Sequence, residues 1–380
     1  MDDRLNQENA IRQVSISVDF GRNFPPPSPF VERAIHESFS HLEKKGIAEA
    51  IRFPRFTGSR EDRDAGAGWL SRRLGQTVDP DRIVLANGSQ SILAMLIAHF
   101  VKPGGILLTE ALTYPAIKPL SALFGVALRG VAIDSEGIIP ESLDEVCKKL
   151  NGNARALYCM PTLHNPTSAV MSVKRRQEVA SIARRHDLAI FEDDIYGVLP
   201  EKAPIPLAVY APERTWYILG LSKSLAAQLR IAYVVGPTAS TSQRVFWPGV
   251  RTTNWMVAPI VAEIATYWLN ARLADGILDS VRAETIRRRS LATALLNKHF
   301  DIDPTSYHLW IELPSSMTLP QFVDAAREQG VSVGAGDTFA VDSDLGNRRF
   351  RVGLGVPPSE DTLIKGLSVL SKIFDHSKRP

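Results

Sequence analysis

The sequence predicts an α/β fold with a mostly parallel, seven-stranded sheet between helices and a smaller, discontinuous α+β domain. Three observations point there. Short apolar runs alternate with amphipathic helical stretches from residue 82 to residue 235, the signature of strand–helix repeats. The polar residues with the most chemistry fall just after those runs, where open parallel sheets bind ligands. At 380 residues the chain is long enough for two domains, and its 44% hydrophobic and 22% charged content is that of an ordinary globular protein. We expect an N-terminal arm and small-domain segment over 1–55, a large domain over 56–272 and a C-terminal small domain over 273–380.

The net charge of +3 leaves no footprint for nucleic acid. Arg287-Arg288-Arg289, among acidic neighbours, reads as a solvated helix face. Cys147 and Cys159 suggest packing, with neither a disulfide framework nor a metal site. No apolar run reaches transmembrane length and the acidic N-terminus lacks a signal-peptide pattern, so a cytoplasmic protein is expected, with no membrane partner.

Residues 1–30 are polar, then proline-rich, and read as an extended arm. Phe30–Lys45 has helical apolar spacing with Gly46 as C-cap, and Glu61–Leu74 is a second helix closed by Gly75. The strands follow: 83–86, 106–109, 126–133, 156–160, 188–192, 216–219 and 231–235. Helices are expected over 91–100, 115–124, 141–150 and 174–186, and longer ones over 259–273 and 277–300. The C-terminal part changes pattern, with strands at 308–313, 331–333 and 350–354 and helices at 319–329 and 361–374.

The chemistry gathers around Leu219-Gly220-Leu221-Ser222-Lys223-Ser224, with Arg230 seven residues after the lysine. A lysine at a strand end is usually a solvated group. It is also the residue that forms Schiff bases with carbonyls when its surroundings lower its pKa. Ser222 and Arg230 offer a hydroxyl and a fixed cation for a phosphate. Lysine for an aldehyde beside Ser and Arg for a phosphate is what pyridoxal 5′-phosphate (PLP) needs. Asn87-Gly88-Ser89-Gln90 opens a helix, where free N–H groups favour anions, although Ser89 alone would be an ordinary N-cap. Glu192-Asp193-Asp194-Ile195-Tyr196 follows a buried strand. One aspartate there can pair with a protonated pyridine nitrogen, and Tyr196 can donate to the phenolic oxygen. Asn165 in His164-Asn165-Pro166-Thr167 can do the same. Tyr114 before Pro115 can stack on the ring. Alternation places Arg349 and Arg351 on one strand face, where a guanidinium can grip a carboxylate.

Each motif is weak singly, and their order is much stronger. From about Val18 to the C-terminal helix, the chain resembles the fold-type I PLP-dependent aminotransferases of class I/II. Within them it is most similar to the kynurenine/2-aminoadipate aminotransferases and the catalytic half of the MocR-type regulators. The resemblance implies Lys223 as Schiff-base lysine and proton shuttle. It makes Asp193 the pyridinium partner, with Asp194 if the register slips by one, and Asn165 and Tyr196 the phenolic-oxygen donors. Tyr114 becomes the stacking ring. Gly88, Ser89, Gln90, Ser222 and Arg230 form the phosphate cup, and Arg351 with Asn165 meets the substrate carboxylate. It also implies an amino acid and a 2-oxo acid as small-molecule partners, and a homodimer.

Three features depart from the family pattern. Gly220 stands where a Ser or Thr is usual, Phe53 where a Tyr reaches the partner's phosphate, and Ala227-Gln228 where Pro-Gly is usual. Two lost hydroxyls weaken the cup by about 1.5–3 kcal/mol each, unless Arg55 or water compensates. The activity implied is ping-pong transamination. The same machinery supports lyase, oxidase or racemase chemistry, a non-catalytic effector-binding module, or a vestigial site. The stretch before Val18 is too short and acidic for the basic winged helix of the MocR regulators. Arg22, Phe24, Phe339 and the Trp247–Trp255 segment with Arg251 are the expected side-chain selectors.

Overall fold

The computed structural model describes residues 15–376 except 299, 301 and 343; residues 1–14 of the expected arm lie outside it. Seven strands form one sheet: β1 (Ile83–Ala86), β2 (Ile106–Glu110), β3 (Ala127–Val131), β4 (Ala154–Cys159), β5 (Ala189–Asp193), β6 (Thr215–Gly220) and β7 (Ala232–Val235), ordered β1-β7-β6-β5-β4-β2-β3. β7 runs antiparallel to both β1 and β6, and the other pairs are parallel. The start of β7 therefore lies at the same edge as the ends of the parallel strands. β1, β4, β6 and β7 are buried almost throughout, which is why they read as unbroken apolar runs rather than alternating ones.

A three-stranded antiparallel sheet is built from β8 (His308–Glu312), β9 (Gly334–Ala335) and β10 (Arg349–Gly353), with β10 in the centre. Val18–Asp19 pairs in parallel with Val331–Ser332, so the chain's start is stitched to its C-terminal part.

The helices carry the caps that set their ends. α1 (Pro29–Lys45) starts at Ser28, whose Oγ accepts the Phe30 N–H at 3.2 Å. α2 (Arg60–Leu74) has a reciprocal Ser59/Asp62 capping box and ends at Gly75. α3 (Ala239–Thr253) escapes a pattern reading because Pro248 and Gly249 interrupt it. A Thr238/Thr241 box nonetheless starts it, and Val245, Phe246 and Val250 bury its inner face. The expected strand over 126–133 is shorter, and Ile133–Asp134 leaves the sheet to pair with Gly137–Ile138.

Arg287-Arg288-Arg289 corrects the expectation of a solvated face. Only Arg287 is exposed. Arg288 is buried, donating to the carbonyls of Leu354 at 2.8 Å and Pro357 at 2.7 Å, and Arg289 donates to that of Phe300 at 3.0 Å. Guanidinium groups here serve as multi-pronged donors to loop carbonyls, a role no charge pattern reveals. Cys147 and Cys159 are both buried and free. No helix among the described residues is long and apolar enough to cross a membrane.

Candidate active site

The strand ends converge on a pocket of about 290 Å³ lined by Ser89, Gln90, Tyr114, Asn165, Asp193, Tyr196, Ser222, Lys223, Arg230 and Arg351. Every predicted site residue except Gly88 is in that lining. Gly88 sits directly behind it with φ +78°, and a Cβ there would stand 3.2 Å from Arg230 Nη2. Glycine is thus required both by the backbone and by the guanidinium.

Lys223 follows β6 directly. Its Nζ donates to the backbone carbonyl of Asn23, and burial with the nearby Arg351 and Arg230 pulls its pKa down to about 8. Asp193, the last residue of β5, is buried and its pKa is pushed up to about 7, chiefly by desolvation. Tyr158 of the neighbouring β4 donates to its Oδ2 at 3.1 Å, and its Oδ1 has no hydrogen-bond partner among the described residues.

Geometry separates the two aspartates. Asp194 faces away from the pocket, held by Arg73 at 2.9 Å and the Tyr217 hydroxyl at 2.9 Å. The first acid of the run, Glu192, is tied to the N–H groups of Leu207 and Ala208 at 2.8 and 2.7 Å. Two of the three acids therefore have structural work, and Asp193 is the one presented to the pocket.

Arg351 is buried on central strand β10. It donates to Asn165 Oδ1 at 2.7 Å and to the carbonyl of Gly21 at 2.6 Å, with its guanidinium 5.0 Å from the Phe339 ring. Arg349, expected on the same face, lies at the exposed end of the strand and pairs with Glu312 at 2.9 Å. On the other side of the pocket, Gln90 bridges Tyr114 and Arg230: its Nε2 donates to the Tyr114 hydroxyl at 2.9 Å, and its Oε1 accepts from Arg230 at 3.3 Å. The helix here begins at Gly88 with Asn87 as cap residue, so Ser89 is not the N-cap, and its buried Oγ has no partner among the described residues.

The departures also acquire structural accounts. A Cβ on Gly220 would meet Ser89 Oγ at 3.0 Å and the Ile195 side chain at 3.1 Å, so a larger residue there would crowd both. Phe53 is 63% exposed. Arg55 is occupied by Asp62 at 2.8 Å and Glu263 at 2.6 Å, and lies outside the pocket. Ala227 and Gln228 line the pocket. Of the expected selectors, Arg22 and Phe24 line it too. Trp247 does not; it packs on Phe56 and carries Arg251 on its face. Trp255 is absent from the lining, and Phe339 sits beneath Arg351.

Four residues of the site were not anticipated. Asn23 donates to the Tyr196 hydroxyl at 2.9 Å, and His308 lies 3.3 Å from the same amide. Tyr158 supports Asp193. Glu110, at the end of β2, is buried with its pKa pushed up to about 8 by desolvation, and its Oε1 accepts the Met160 N–H at 2.8 Å. An acid closing an apolar run was a signal available for Glu110; nothing in its neighbours marks Asn23.

The chain matches the family model described as aminotransferase class I and II over residues 19–364, and it belongs to that family. Among curated relatives it is 33% identical over 308 residues to the HTH-type transcriptional regulator YdeF of Bacillus subtilis, a match covering 80% of this chain and 66% of the regulator. The chain thus spans less than two thirds of that relative's length. It is 28% identical to aromatic-amino-acid aminotransferase 1 of Thermococcus litoralis, covering 88% of this chain and 83% of that protein. The Pyrococcus horikoshii kynurenine aminotransferase, solved with PMP, superposes with a TM-score of 0.86 at 21% identity, covering 100% of this chain and 96% of that one, and shows the same fold.

The family's cofactor is PLP, and the pocket fits it. Asp193 Oδ1 and Ser89 Oγ are buried polar atoms without partners among the described residues, one an acceptor for a ring N–H and the other a donor for a phosphate. Gly88 and Arg230 form a cradle that a side chain at position 88 would fill.

Proposed function

We propose that this chain is a PLP-dependent aminotransferase that interconverts an L-amino acid and a 2-oxo acid by a ping-pong mechanism through Lys223. The observation that carries the reading is Lys223, with its pKa lowered to about 8, in one pocket with Asp193 and its free carboxylate oxygen. When bound, PLP supplies an aldehyde for an amine and a ring that accepts the electrons left at the amino acid's α-carbon.

The chain's own residues do the rest. Lys223, less basic than a solvated lysine, is partly free amine near neutrality, so it can act as nucleophile and can take and return the α-proton. Asp193 holds the proton at the pyridine nitrogen. Tyr196 and Asn165 donate to the phenolic oxygen, and Tyr114 covers the ring. Gly88, Ser89, Gln90, Ser222 and Arg230 hold the phosphate. Arg351, with Asn165, receives the α-carboxylate, and Arg22 and Phe24 at the mouth face the side chain.

The exposed apolar side chains Phe30, Ile35 and Phe39 of α1, with Ile47, Ile51 and Phe53 after it, fit a homodimer interface. A cytoplasmic location is part of the same proposal. Single amino acids added to the PLP-loaded protein without acceptor should convert its visible band to a pyridoxamine-type spectrum, and a 2-oxo acid should restore it. A stable band under every amino acid would instead favour a non-catalytic, effector-binding module, a role compatible with relatives named as transcriptional regulators.

A further inference from the structure

Asn23 enters the pocket from the N-terminal arm and is buried. Its Nδ2 lies 2.9 Å from the Tyr196 hydroxyl and 3.3 Å from His308 Nδ1. The other ring nitrogen of His308, Nε2, is 3.1 Å from the backbone carbonyl of His164. A carbonyl oxygen only accepts, so Nε2 carries hydrogen. His308 is fully buried and neutral, its pKa pulled down to about 3 by desolvation and the nearby Arg351. A neutral imidazole has one N–H, so Nδ1 is an acceptor. Asn23 must therefore present its amino group here, and its two hydrogens serve His308 and Tyr196. The tyrosine oxygen accepts, and its own proton is not used on Asn23.

We propose that His308 and Asn23 form a tautomer-locked hydrogen-bond relay that makes Tyr196 a one-way donor into the cofactor site. Both are positioning residues, acting through Tyr196, and the inference rests on the reading that the pocket holds PLP. The backbone oxygen of Asn23 also receives Lys223, so one residue orients two groups of the site. The charged and titratable groups around Tyr196 are Arg351, Asp193, Tyr114, Tyr307, His308 and, within the same pocket, Lys223. These set the local potential. The relay sets which way the tyrosine proton points, because a hydroxyl that accepts from Asn23 keeps its own proton free to donate into the pocket. Polarised hydrogen-bond chains also strengthen their last donor.

The test is a double-mutant cycle on the full chain loaded with PLP. Asn23→Leu keeps the side-chain shape and removes the amide. Its pH midpoint for the change in the visible cofactor band should rise by up to about one unit, because a weaker donor leaves the phenolic oxygen's negative charge less stabilised. Tyr196→Phe should raise it further, and adding Asn23→Leu to Tyr196→Phe should move it no more. The affinity of the apoprotein for PLP, followed by fluorescence, should show the same non-additivity.

His308→Phe, which keeps a ring but loses the Nδ1 acceptor, gives the same reading in smaller measure if Asn23→Leu does not fold. A wild-type midpoint in the folded variant, or additive shifts in the double variant, overturns the relay while leaving the functional reading intact. An apoprotein that takes up no PLP overturns both.

Discussion

The two walls of the pocket are built differently. The wall of Asn23, Tyr196, Asn165 and Arg351, backed by His308, is buried and closely hydrogen-bonded, and Arg351 alone makes contacts of 2.6 and 2.7 Å. The wall of Ser89, Gln90, Ser222 and Arg230 is open: Arg230 is exposed, its contact to Gln90 is 3.3 Å, and the Ser89 hydroxyl has no partner among the described residues. The first wall is organised before any ligand arrives. The second offers donors and leaves the ligand to complete the geometry. A preorganised wall suits groups that must be aligned for proton transfer, and a donor-rich open wall suits an anchor whose task is affinity.

The largest effect belongs to the lysine between the walls. Lys223→Ala should abolish turnover while the far-UV spectrum and fold persist; substantial remaining activity would remove Lys223 from its role. Next is the closed wall. Arg351→Gln should raise KM for the amino acid by about ten- to a hundredfold, the worth of charge-assisted hydrogen bonds, with PLP affinity little changed. A KM close to wild type would mean that the carboxylate lies elsewhere.

On the open wall, Arg230→Gln should weaken PLP binding by about tenfold or more and leave KM at saturating PLP close to wild type. If both constants moved together, the contrast between the walls would not hold.

The smallest effect concerns pH. Asp193 is protonated more readily in the folded apoprotein, with a pKa of about 7 against an ordinary 3.8. Its contribution to stability is therefore fully present below about pH 4 and is lost as pH rises through about 7. Glu110 acts in the same direction, through about 8. Asp193→Asn should flatten the fall of the apoprotein's unfolding free energy between pH 5 and 7, by about 1.4 kcal/mol per unit of pH at most. An unchanged slope would show that Asp193 is already ionised.

The central sheet was legible because buried parallel strands must be continuously apolar, and the pocket lining was legible where its residues close or follow those strands, as Asp193 and Lys223 do. What escaped notice did so for physical reasons. α3 contains Pro248 and Gly249, which local propensity reads as breaks, yet a capping box and a buried face outweigh them. Arg288 and Arg289 read as surface charge because their partners are carbonyls distant in sequence. The Trp247–Trp255 segment was expected to select the side chain, yet Trp247 packs on Phe56 and neither tryptophan lines the pocket. Asn23 is one amide in an irregular arm, and its importance comes from residues 173 and 285 positions away.

Three of the four cations that line the pocket share one further property; the fourth, Arg22, pairs with Asp19 at 3.4 Å. Arg351 is held by Asn165 and the Gly21 carbonyl, Lys223 by the Asn23 carbonyl, and Arg230 by Gln90. All of these partners are neutral. An arriving anion therefore displaces dipoles rather than breaking ion pairs, and meets charge that nothing has yet cancelled. With Asp193 the one carboxylate in the lining, the cleft is an electrostatic sink with room for more than one anionic group. A phosphate and an α-carboxylate entering the cleft would draw on the same field, so whichever binds first weakens the pull on the other.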